Sequence, residues 1–476
     1  MLNTSLFDKV LIHKDSNQYI VANPYLHVLN AHPEFLKKYN LSKQVKIWFF
    51  IKSRLVSVIG ILQSILNKKH YNTQKQNFQS DILFVSHLTN SQQMLRDSDN
   101  YFGDLPNQLL QQGMDSSIAL INHIKMNNQR TSRVWEDSKV NRFILNSSLD
   151  FLSEIKLHFS QRKAKKQLKL ILKDLRINKA LVKDILHHHL SSETFNTLRV
   201  AMQVADIVRK TGAKFIVTTY EGYAWERLVY YYAREANPDI KCFGYQHAAV
   251  FKHQHAIKRS LEEKYNPDVV LTSGIIAKDI FEKSQIESGK IACLGSYKHR
   301  TPNLTTGEAQ CCLVVPEGLV SECLILFKLS LGYAKQYPDQ QFIWRLHPLL
   351  NFDDIRKHGV SLNSLPSNIH LSENSLDDDI QKCDSALYRG STAIVNAINA
   401  GLKPIYYKQS TDELSIDPIY QQKQGKETVQ NQNELHLAFN KNIDAKTRQA
   451  LQDFAQDFYT PLNVNALLNE TVLLRK

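Results

Sequence analysis

The segment at residues 384–407, DSALYRGSTAIVNAINAGLKPIYY, decides the fold of this chain. Residues 386–388 form a short apolar run of strand type, and residues 392–400 show the apolar spacing of a helix. Gly401 stands where that helix should end, and residues 404–407 again have strand composition. The order of strand, helix and strand predicts a βαβ unit, in which a helix connects two parallel strands.

The same alternation continues outside this segment, in two blocks. The first block runs over residues 78–300, and the second runs over 308–476 and ends in a helix predicted at 444–459. The run YKHRTPNLTTG at 297–307 contains Pro, Gly and Thr and indicates a linker. Residues 1–77 are predicted to form a mostly helical N-terminal extension. The sequence therefore predicts an α/β protein with two Rossmann-like lobes that face each other across a cleft.

The composition limits the class of partner. The chain has 476 residues and a formal net charge of +13, which indicates nucleic acid, an acidic membrane surface, or a phosphorylated or carboxylated substrate. Nucleic acid is disfavoured because the sequence has no recognised binding motif and no basic stretch interleaved with aromatic residues. The six cysteines form no CxxC pair, so we expect free thiols in a reducing compartment and no structural zinc site.

Two segments bear on membrane contact. The most apolar one, residues 47–66, is interrupted by charged and polar residues, so it is not predicted to span a membrane. It either lies on a membrane, with the aromatic run 48–50 as its anchor, or packs on the protein. Residues 162–183 carry nine Lys or Arg and one acid at helical spacing, which predicts either a solvated basic face or contact with anionic lipid. No signal peptide is evident, so we expect a cytoplasmic protein that attaches peripherally to the inner face of the membrane.

Candidate site residues follow the predicted strands, because ligands bind parallel sheets at the carboxyl ends of the strands. Three turns of the second block have this position: VPEG at 315–318, WRLHP at 344–348 and YRGST at 388–392. Pro348 fixes the backbone after His347, and hydroxyl and backbone N–H groups at a helix start bind anions. The residues predicted to place donors and positive charge around one phosphate are Arg345, His347, Pro348, Arg389, Gly390, Ser391 and Thr392.

This series of Glu-Gly, His-Pro and Ser/Thr motifs resembles that of bacterial CMP-sialic acid and CMP-Kdo transferases, which are GT-B glycosyltransferases. The segment 384–407 is most similar to the Kdo-transferase and surface-carbohydrate branch. The resemblance covers the last third of the chain well, is weaker over the first lobe, and does not extend before residue 80. It implies that His347, Ser391 and Thr392 hold the phosphate of the donor. A Gly-Ser-Thr stands here where the sialyltransferase type often has two serines, so the hydroxyls are kept and the subfamily is left open.

The resemblance also implies the reaction. The expected function is transfer of Kdo or a related nonulosonate from a CMP-sugar donor to a growing cell-surface polysaccharide, with a lipid-linked or lipopolysaccharide glycan as acceptor. Two first-lobe segments, TYEG at 219–222 and GYQH at 244–247, look like segments of surface-carbohydrate transferases. Glu221 is the first candidate for the catalytic carboxylate, either as general base or as nucleophile, and Glu317 is the second. Gln246 and His247 are predicted to line the cleft.

Two acidic or histidine-rich patterns raise the question of a metal ion. Asp97 and Asp99 resemble a DxD motif, and HAAVFKHQH at 247–255 resembles a histidine cluster. A CMP-sugar carries one phosphate and its leaving group needs no metal, so we expect no obligatory metal and no other cofactor. Three alternative functions stay open: a CDP-polyol phosphotransferase of the teichoic-acid type, a GT-B enzyme using a UDP- or GDP-sugar, and a non-catalytic partner in polysaccharide assembly.

Overall fold

The chain forms two α/β lobes, each built on one sheet. A computed structural model describes residues 4–27, 71–73, 79–124, 135, 138–284, 289–304, 310–348, 350–358, 362–410 and 415–473, and seven positions between 51 and 65. Within this part of the chain, no helix is both long and apolar enough to cross a membrane.

The first lobe contains an eight-stranded sheet. Its strands are β1 (Tyr71–Thr73), β2 (Ile82–Leu88), β3 (Ser116–Asn122), β4 (Asn141–Leu145), β5 (Phe215–Thr219), β6 (Lys241–Gln246), β7 (Val269–Thr272) and β8 (Lys290–Cys293). Their order is β1-β4-β3-β2-β5-β6-β7-β8, and the pairs are parallel except β1–β4. From β4 to β7 this is the doubly wound order, and the order in which successive strands are added reverses between β2 and β5.

The second lobe contains a six-stranded parallel sheet. Its strands are β9 (Cys311–Val315), β10 (Gln341–Trp344), β11 (Ile369–Leu371), β12 (Ser385–Tyr388), β13 (Lys403–Tyr407) and β14 (Glu427–Val429). They follow the order β11-β10-β9-β12-β13-β14, so the switch point lies between β9 and β12. The two sheets confirm the predicted α/β architecture with two Rossmann-like lobes, and β12 and β13 confirm the βαβ unit.

Helices cover both faces of each sheet, which explains why strands such as β2 and β5 are apolar on both sides. The helices that lie before the second sheet are α1 (Thr4–Leu11), α2 (Gln18–Val21), α3 (Leu105–Gln111), α4 (Phe151–Asp174), α5 (Lys179–His188), α6 (Ser192–Thr211), α7 (Ala224–Ala236) and α8 (Ile275–Lys283). Those that follow are α9 (Val320–Gln336), α10 (Phe352–Arg356), α11 (Leu376–Ile380), α12 (Ala393–Asn399), α13 (Gln432–Asn440), α14 (Ala445–Phe458) and α15 (Val464–Leu473).

The described part of the predicted N-terminal extension belongs to the first lobe. Phe7 and Ile20, from α1 and α2, are buried in the same core cluster as residues of β5 and α7. Asp8 forms ion pairs with His255 at 2.8 Å and with Arg259 at 2.5 Å. The aromatic run 48–50 lies outside the described residues, whereas the described positions between 51 and 65 are helical.

The C-terminal helix also packs on the first lobe, which differs from the predicted boundary of 308–476. After α14 the chain crosses between the lobes, and the backbone N–H of Thr460 donates a hydrogen bond to the carbonyl of Ser273 at 3.2 Å. Leu467 of α15 is buried in the core cluster that contains Phe84 of β2. Because α15 carries apolar residues that fit this cluster, the last described helix packs on the same lobe as the first.

Candidate functional site

The loop after β5 places Glu221 at the switch point of the first sheet. The carboxylate of Glu226, in the first turn of α7, accepts hydrogen bonds from the backbone N–H groups of Glu221, Gly222 and Tyr223 at 2.9, 2.7 and 2.8 Å. Gly222 has φ +82°, and a Cβ atom there would overlap the carbonyl of Ala256 and lie 2.5 Å from the backbone nitrogen of Ile257. Glycine is therefore required at this turn, and the turn fixes the backbone of Glu221.

Glu221 faces His247, which follows β6. The distance from Glu221 Oε1 to His247 Nε2 is 3.6 Å, too long for a hydrogen bond, and the side chains are 22% and 12% exposed. Burial raises the pKa of Glu221, while a hydrogen bond from Tyr223 and the charge of Lys298 oppose this shift. Burial and the charge of Lys298 hold the pKa of His247 well below its usual range. A neutral imidazole thus lies beside a carboxylate whose raised pKa suits a general base.

Aromatic rings form a wall next to these two residues. The ring of Tyr101 meets that of His247 edge-on with 4.9 Å between centroids. The ring of His87, on β2, lies 5.3 Å from those of Tyr101 and Trp225. His87 Nδ1 is 3.0 Å from Nε2 of His123, and burial lowers the pKa of His87 to about 3, so this ring is neutral. Aromatic walls with a few polar groups are typical of ligand sites, although no residue of this wall except His247 was predicted from the sequence.

In the second lobe, two glycines make room for the candidate side chains. A Cβ atom on Gly390, after β12, would lie 2.6 Å from the carboxyl carbon of Glu317, so the carboxylate rests against this backbone. A Cβ atom on Gly318 would lie 3.1 Å from Nδ1 of His347. Burial lowers the pKa of His347, while the nearby charge of Glu317 opposes the shift and that of Lys298 adds to it. The turns after β9, β10 and β12 therefore meet, as their strand-end positions predicted.

The hydroxyl residues of the third turn start α12. Ser391 is 9% exposed, and its Oγ accepts a hydrogen bond from the backbone N–H of Ala393 at 3.4 Å. Thr392 precedes the first residue of the helix and is partly exposed. The helix has only seven residues, so a bound anion would depend mainly on hydroxyl and N–H groups and little on the helix dipole. Pro348 is exposed at the end of the second turn.

Three of the predicted site residues make contacts inside the protein. Nη1 of Arg345 lies 2.8 Å from the carboxylate of Asp379, which is fully buried. Arg389 is also buried, and its Nε donates to Glu322 at 2.5 Å. Gln246 is buried, and its side-chain oxygen accepts a hydrogen bond from the backbone after β7 at 3.1 Å. These contacts hold the loops that carry the neighbouring site residues.

Lys298, at the start of the predicted linker, is a further candidate residue of the site. It follows β8, and its Nζ lies 5.9 Å from the centroid of the Tyr459 ring, at the crossing between the lobes. Its charge acts on Glu221 and His247 in the first lobe and on His347 in the second. One ammonium group therefore connects the two halves of the site electrostatically. The basic run KHR at 298–300, inside an otherwise neutral linker, was the available signal.

The acidic and histidine residues that resembled metal sites in the sequence contact other protein groups in the structure. Asp99 is buried and accepts hydrogen bonds from Ser86 Oγ at 2.9 Å and from backbone N–H groups, while Asp97 pairs with Arg142 at 3.1 Å. His255 pairs with Asp8, away from His247. Among the described residues, no group of three or more His, Cys, Asp or Glu could hold a metal ion.

Comparison with known proteins adds a likeness of fold. No protein-family model matches the sequence, and no curated protein matches it significantly. The structure is similar to the glycotransferase of kitacinnamycin, with 10% identity and a TM-score of 0.48 over 83% of this chain and 99% of that chain. It is similar to UDP-GlcNAc 2-epimerase from Methanocaldococcus jannaschii, with 12% identity and a TM-score of 0.47 over 82% and 99%. A lipopolysaccharide outer core galactosyltransferase gives 12% identity and 0.46 over 82% and 99%. At this level the likeness concerns the fold alone.

Proposed function

We propose that this protein is a glycosyltransferase that moves Kdo or a related nonulosonate from a CMP-activated donor to a cell-surface polysaccharide or lipopolysaccharide glycan. The observation that carries the proposal is the convergence of two unlike half-sites on Lys298. The first lobe contributes a carboxylate of raised pKa beside neutral rings, and the second contributes an imidazole after β10 and two hydroxyls after β12. Such a pair of half-sites suits a reaction between a phosphorylated donor and a hydroxyl acceptor.

The donor is assigned to the second lobe. His347, Ser391 and Thr392 offer a ring N–H and two hydroxyl groups at the ends of β10 and β12. These groups match one phosphate, and the resemblance to CMP-sugar transferases points to the same three residues. Arg345 and Arg389 contribute by fixing the loops, since their guanidinium groups are engaged with buried carboxylates.

Lys298 favours a donor that carries more than one negative charge near the reacting carbon. A CMP-nonulosonate has a phosphate and a sugar carboxylate on the same carbon, so an ammonium group between the lobes can attract both groups and offset one of their two negative charges. This interaction strengthens when the lobes close and water leaves, because the local dielectric falls. With one phosphate in the leaving group, the proposal includes no obligatory metal and no cofactor.

Glu221 is assigned the catalytic carboxylate. Its raised pKa and its place next to the ring wall suit removal of a proton from an acceptor hydroxyl. The neutral rings of Tyr101 and Trp225 offer apolar faces to a sugar, so the glycan acceptor is assigned to the first lobe. In the proposed reaction the acceptor is a growing cell-surface glycan that is linked to lipid. The proposal therefore places the enzyme on the cytoplasmic side of the membrane.

A thermal-shift experiment tests the donor assignment. A ligand that binds only the folded state raises the melting temperature, by an amount equivalent to roughly 2.7 kcal/mol at 100 times its Kd. We expect CMP and CDP to stabilise the protein, UDP and GDP to have little effect, and His347→Ala to remove the shift. His370→Ala, an exposed histidine on β11, is the matched control and should keep it.

The other outcomes separate the alternatives. Stabilisation by UDP or GDP alone would reject the cytidylate donor. Binding of CDP-glycerol with release of CMP would indicate phosphoryl transfer of the teichoic-acid type. Lack of response to every nucleotide would reject the donor site and favour a non-catalytic partner in polysaccharide assembly.

A further inference from the structure

Helix α4 has one face buried in the first lobe and one face open to solvent. It spans 24 residues, and its buried side includes Leu157, Leu168 and Ile171. Glu154 is on the buried side as well, where Arg199 Nε donates to it at 2.7 Å. The inner face of α4 is therefore buried against the first lobe, and so is Glu154, one of the two acidic residues of the helix.

The outer face of α4 alternates apolar and basic side chains. Three large apolar residues are widely exposed: Leu152 at 75%, Phe159 at 67% and Leu170 at 68%. An α-helix turns by 100° per residue, so residues separated by 7 or 11 positions point in directions that differ by about 20°. The three side chains therefore point to the same side of the helix. Exposed lysines fill the same stripe between them, namely Lys156, Lys163 and Lys166. The stripe is about 27 Å long, and its exposed side chains from Leu152 to Leu170 include no acid. Asp174, one turn beyond its end, lies 3.3 Å from His13.

We propose that this stripe of α4, Leu152 to Leu170, is the surface by which the protein binds an anionic membrane. The inference deepens the proposed function and rests on it, because it names the surface that brings the enzyme to a lipid-linked acceptor. Exposed Leu and Phe enter the boundary between headgroups and acyl chains, and the lysines between them meet anionic headgroups. When the helix lies parallel to the membrane, its apolar side chains can therefore reach the acyl boundary while its lysines stay at the level of the headgroups.

Other occupants fit the stripe less well. A second copy of the chain would place like charges opposite each other in a two-fold contact, which is unfavourable. Nucleic acid would attract the lysines, but its phosphates would gain nothing from Leu152 and Leu170, which would stay exposed to water. Lipid is the occupant that satisfies both kinds of side chain.

Vesicle co-sedimentation of the full-length protein tests the proposal. We expect binding to phosphatidylcholine vesicles that contain about one-third phosphatidylglycerol, and weak binding to phosphatidylcholine alone. Each lysine near an anionic surface strengthens binding roughly five-fold, so Lys163→Gln with Lys166→Gln should weaken it roughly 25-fold. Phe159→Gln with Leu170→Gln should also weaken it, and should do so at high salt as well, because apolar burial is not screened.

Matched variants on the second lobe serve as controls. Lys328→Gln with Lys335→Gln removes the same charge from exposed positions of α9, and Leu437→Gln removes an apolar side chain that is 69% exposed on α13. Both should bind vesicles like the unaltered protein. Equal losses in the controls and the α4 variants would overturn the proposal, as would failure of the unaltered protein to bind. Binding of an oligonucleotide that depends on the α4 lysines, without vesicle binding, would also overturn it.

Failure of the membrane proposal and failure of the catalytic one are distinguishable. Glu221→Gln lies outside α4 and should bind vesicles normally whether or not it abolishes turnover. Conversely, the α4 variants should keep turnover on a soluble acceptor fragment and lose it on a vesicle-bound acceptor.

Discussion

Replacing Gly222 with alanine tests whether the turn after β5 positions Glu221. An alanine at φ +82° adopts a left-handed conformation that costs about 1–2 kcal/mol. Its Cβ atom would also overlap the carbonyl of Ala256, and relieving such a contact costs roughly 1–3 kcal/mol. Gly113 is the matched control, because it has φ +80° and a Cβ atom there would meet nothing within 4 Å. The two variants therefore share the conformational cost, and only one has the clash.

Calorimetry measures the loss of stability, and a turnover assay measures the effect of displacing Glu221. A difference of about 2 kcal/mol should lower the melting temperature of the first lobe by about 4–8 °C more in Gly222→Ala than in Gly113→Ala. Displacement of Glu221 by about 1 Å should lower turnover roughly 100-fold, while CMP binding in the second lobe is kept. Equal melting temperatures of the two variants, or full turnover in Gly222→Ala, would refute the reasoning.

Three further predictions concern charge. Glu221→Gln should lower turnover roughly 10²–10⁴-fold with CMP binding kept. The unaltered enzyme should show a rise of kcat/KM with pH, because ionisation of a carboxyl of raised pKa activates it, and the residual activity of the variant should lack this rise. Lys298→Gln should move that rise to higher pH, since the ammonium lowers the pKa of Glu221; an unmoved pH profile would contradict its place in the site. Arg345→Ala should cost about 3 kcal/mol of stability, because the buried carboxylate of Asp379 loses its ion pair and keeps only hydrogen bonds from Ser372 and Asn374; unchanged unfolding would contradict this.

The fold could be predicted where periodicity is strong. The βαβ unit around α12 is visible because an apolar run, a helical pattern and Gly401 follow one another within a few residues. The strands β4 and β14 were not predicted, because their sequences, NRFIL and ETV, mix charged or polar residues with apolar ones and do not form an apolar run. The packing of α1 and α15 on the first lobe was also missed, since a pattern of apolar residues predicts that a helix packs but does not identify its partner.

The positions of candidate residues could be predicted where these residues follow strands directly. Glu221, His247, Glu317 and His347 were selected on that ground, and the structure places them at the ends of β5, β6, β9 and β10. The ring wall was missed because its members come from distant parts of the chain, and only the sheet brings them together. Arg345 and Arg389 were selected for their charge, and the sequence does not reveal the buried carboxylates that engage them. Lys298 was hidden by the linker composition around it.

Glu221 and Glu317, the two candidates for the catalytic carboxylate, have different surroundings. Glu317 rests on the backbone of Gly390 and opposes the lowering of the pKa of His347, so its charge supports the protonated form of that ring. Burial outweighs the effect of Glu317, so the pKa of His347 stays below its usual value. A phosphate bound beside the ring would add to the effect of Glu317 and favour the protonated form, which binds a phosphate best. The pKa of Glu221 is raised and its imidazole neighbour is neutral, so its charge is not held by a protonated ring. A general base must lose bound water and take up a proton, and a raised pKa favours this step. An imidazole that binds a phosphate benefits instead from a nearby anion, which favours its protonated form. In the proposed reaction the two glutamates therefore suit different steps: Glu221 would act on the acceptor, and Glu317 would favour the protonated form of His347 when the donor binds.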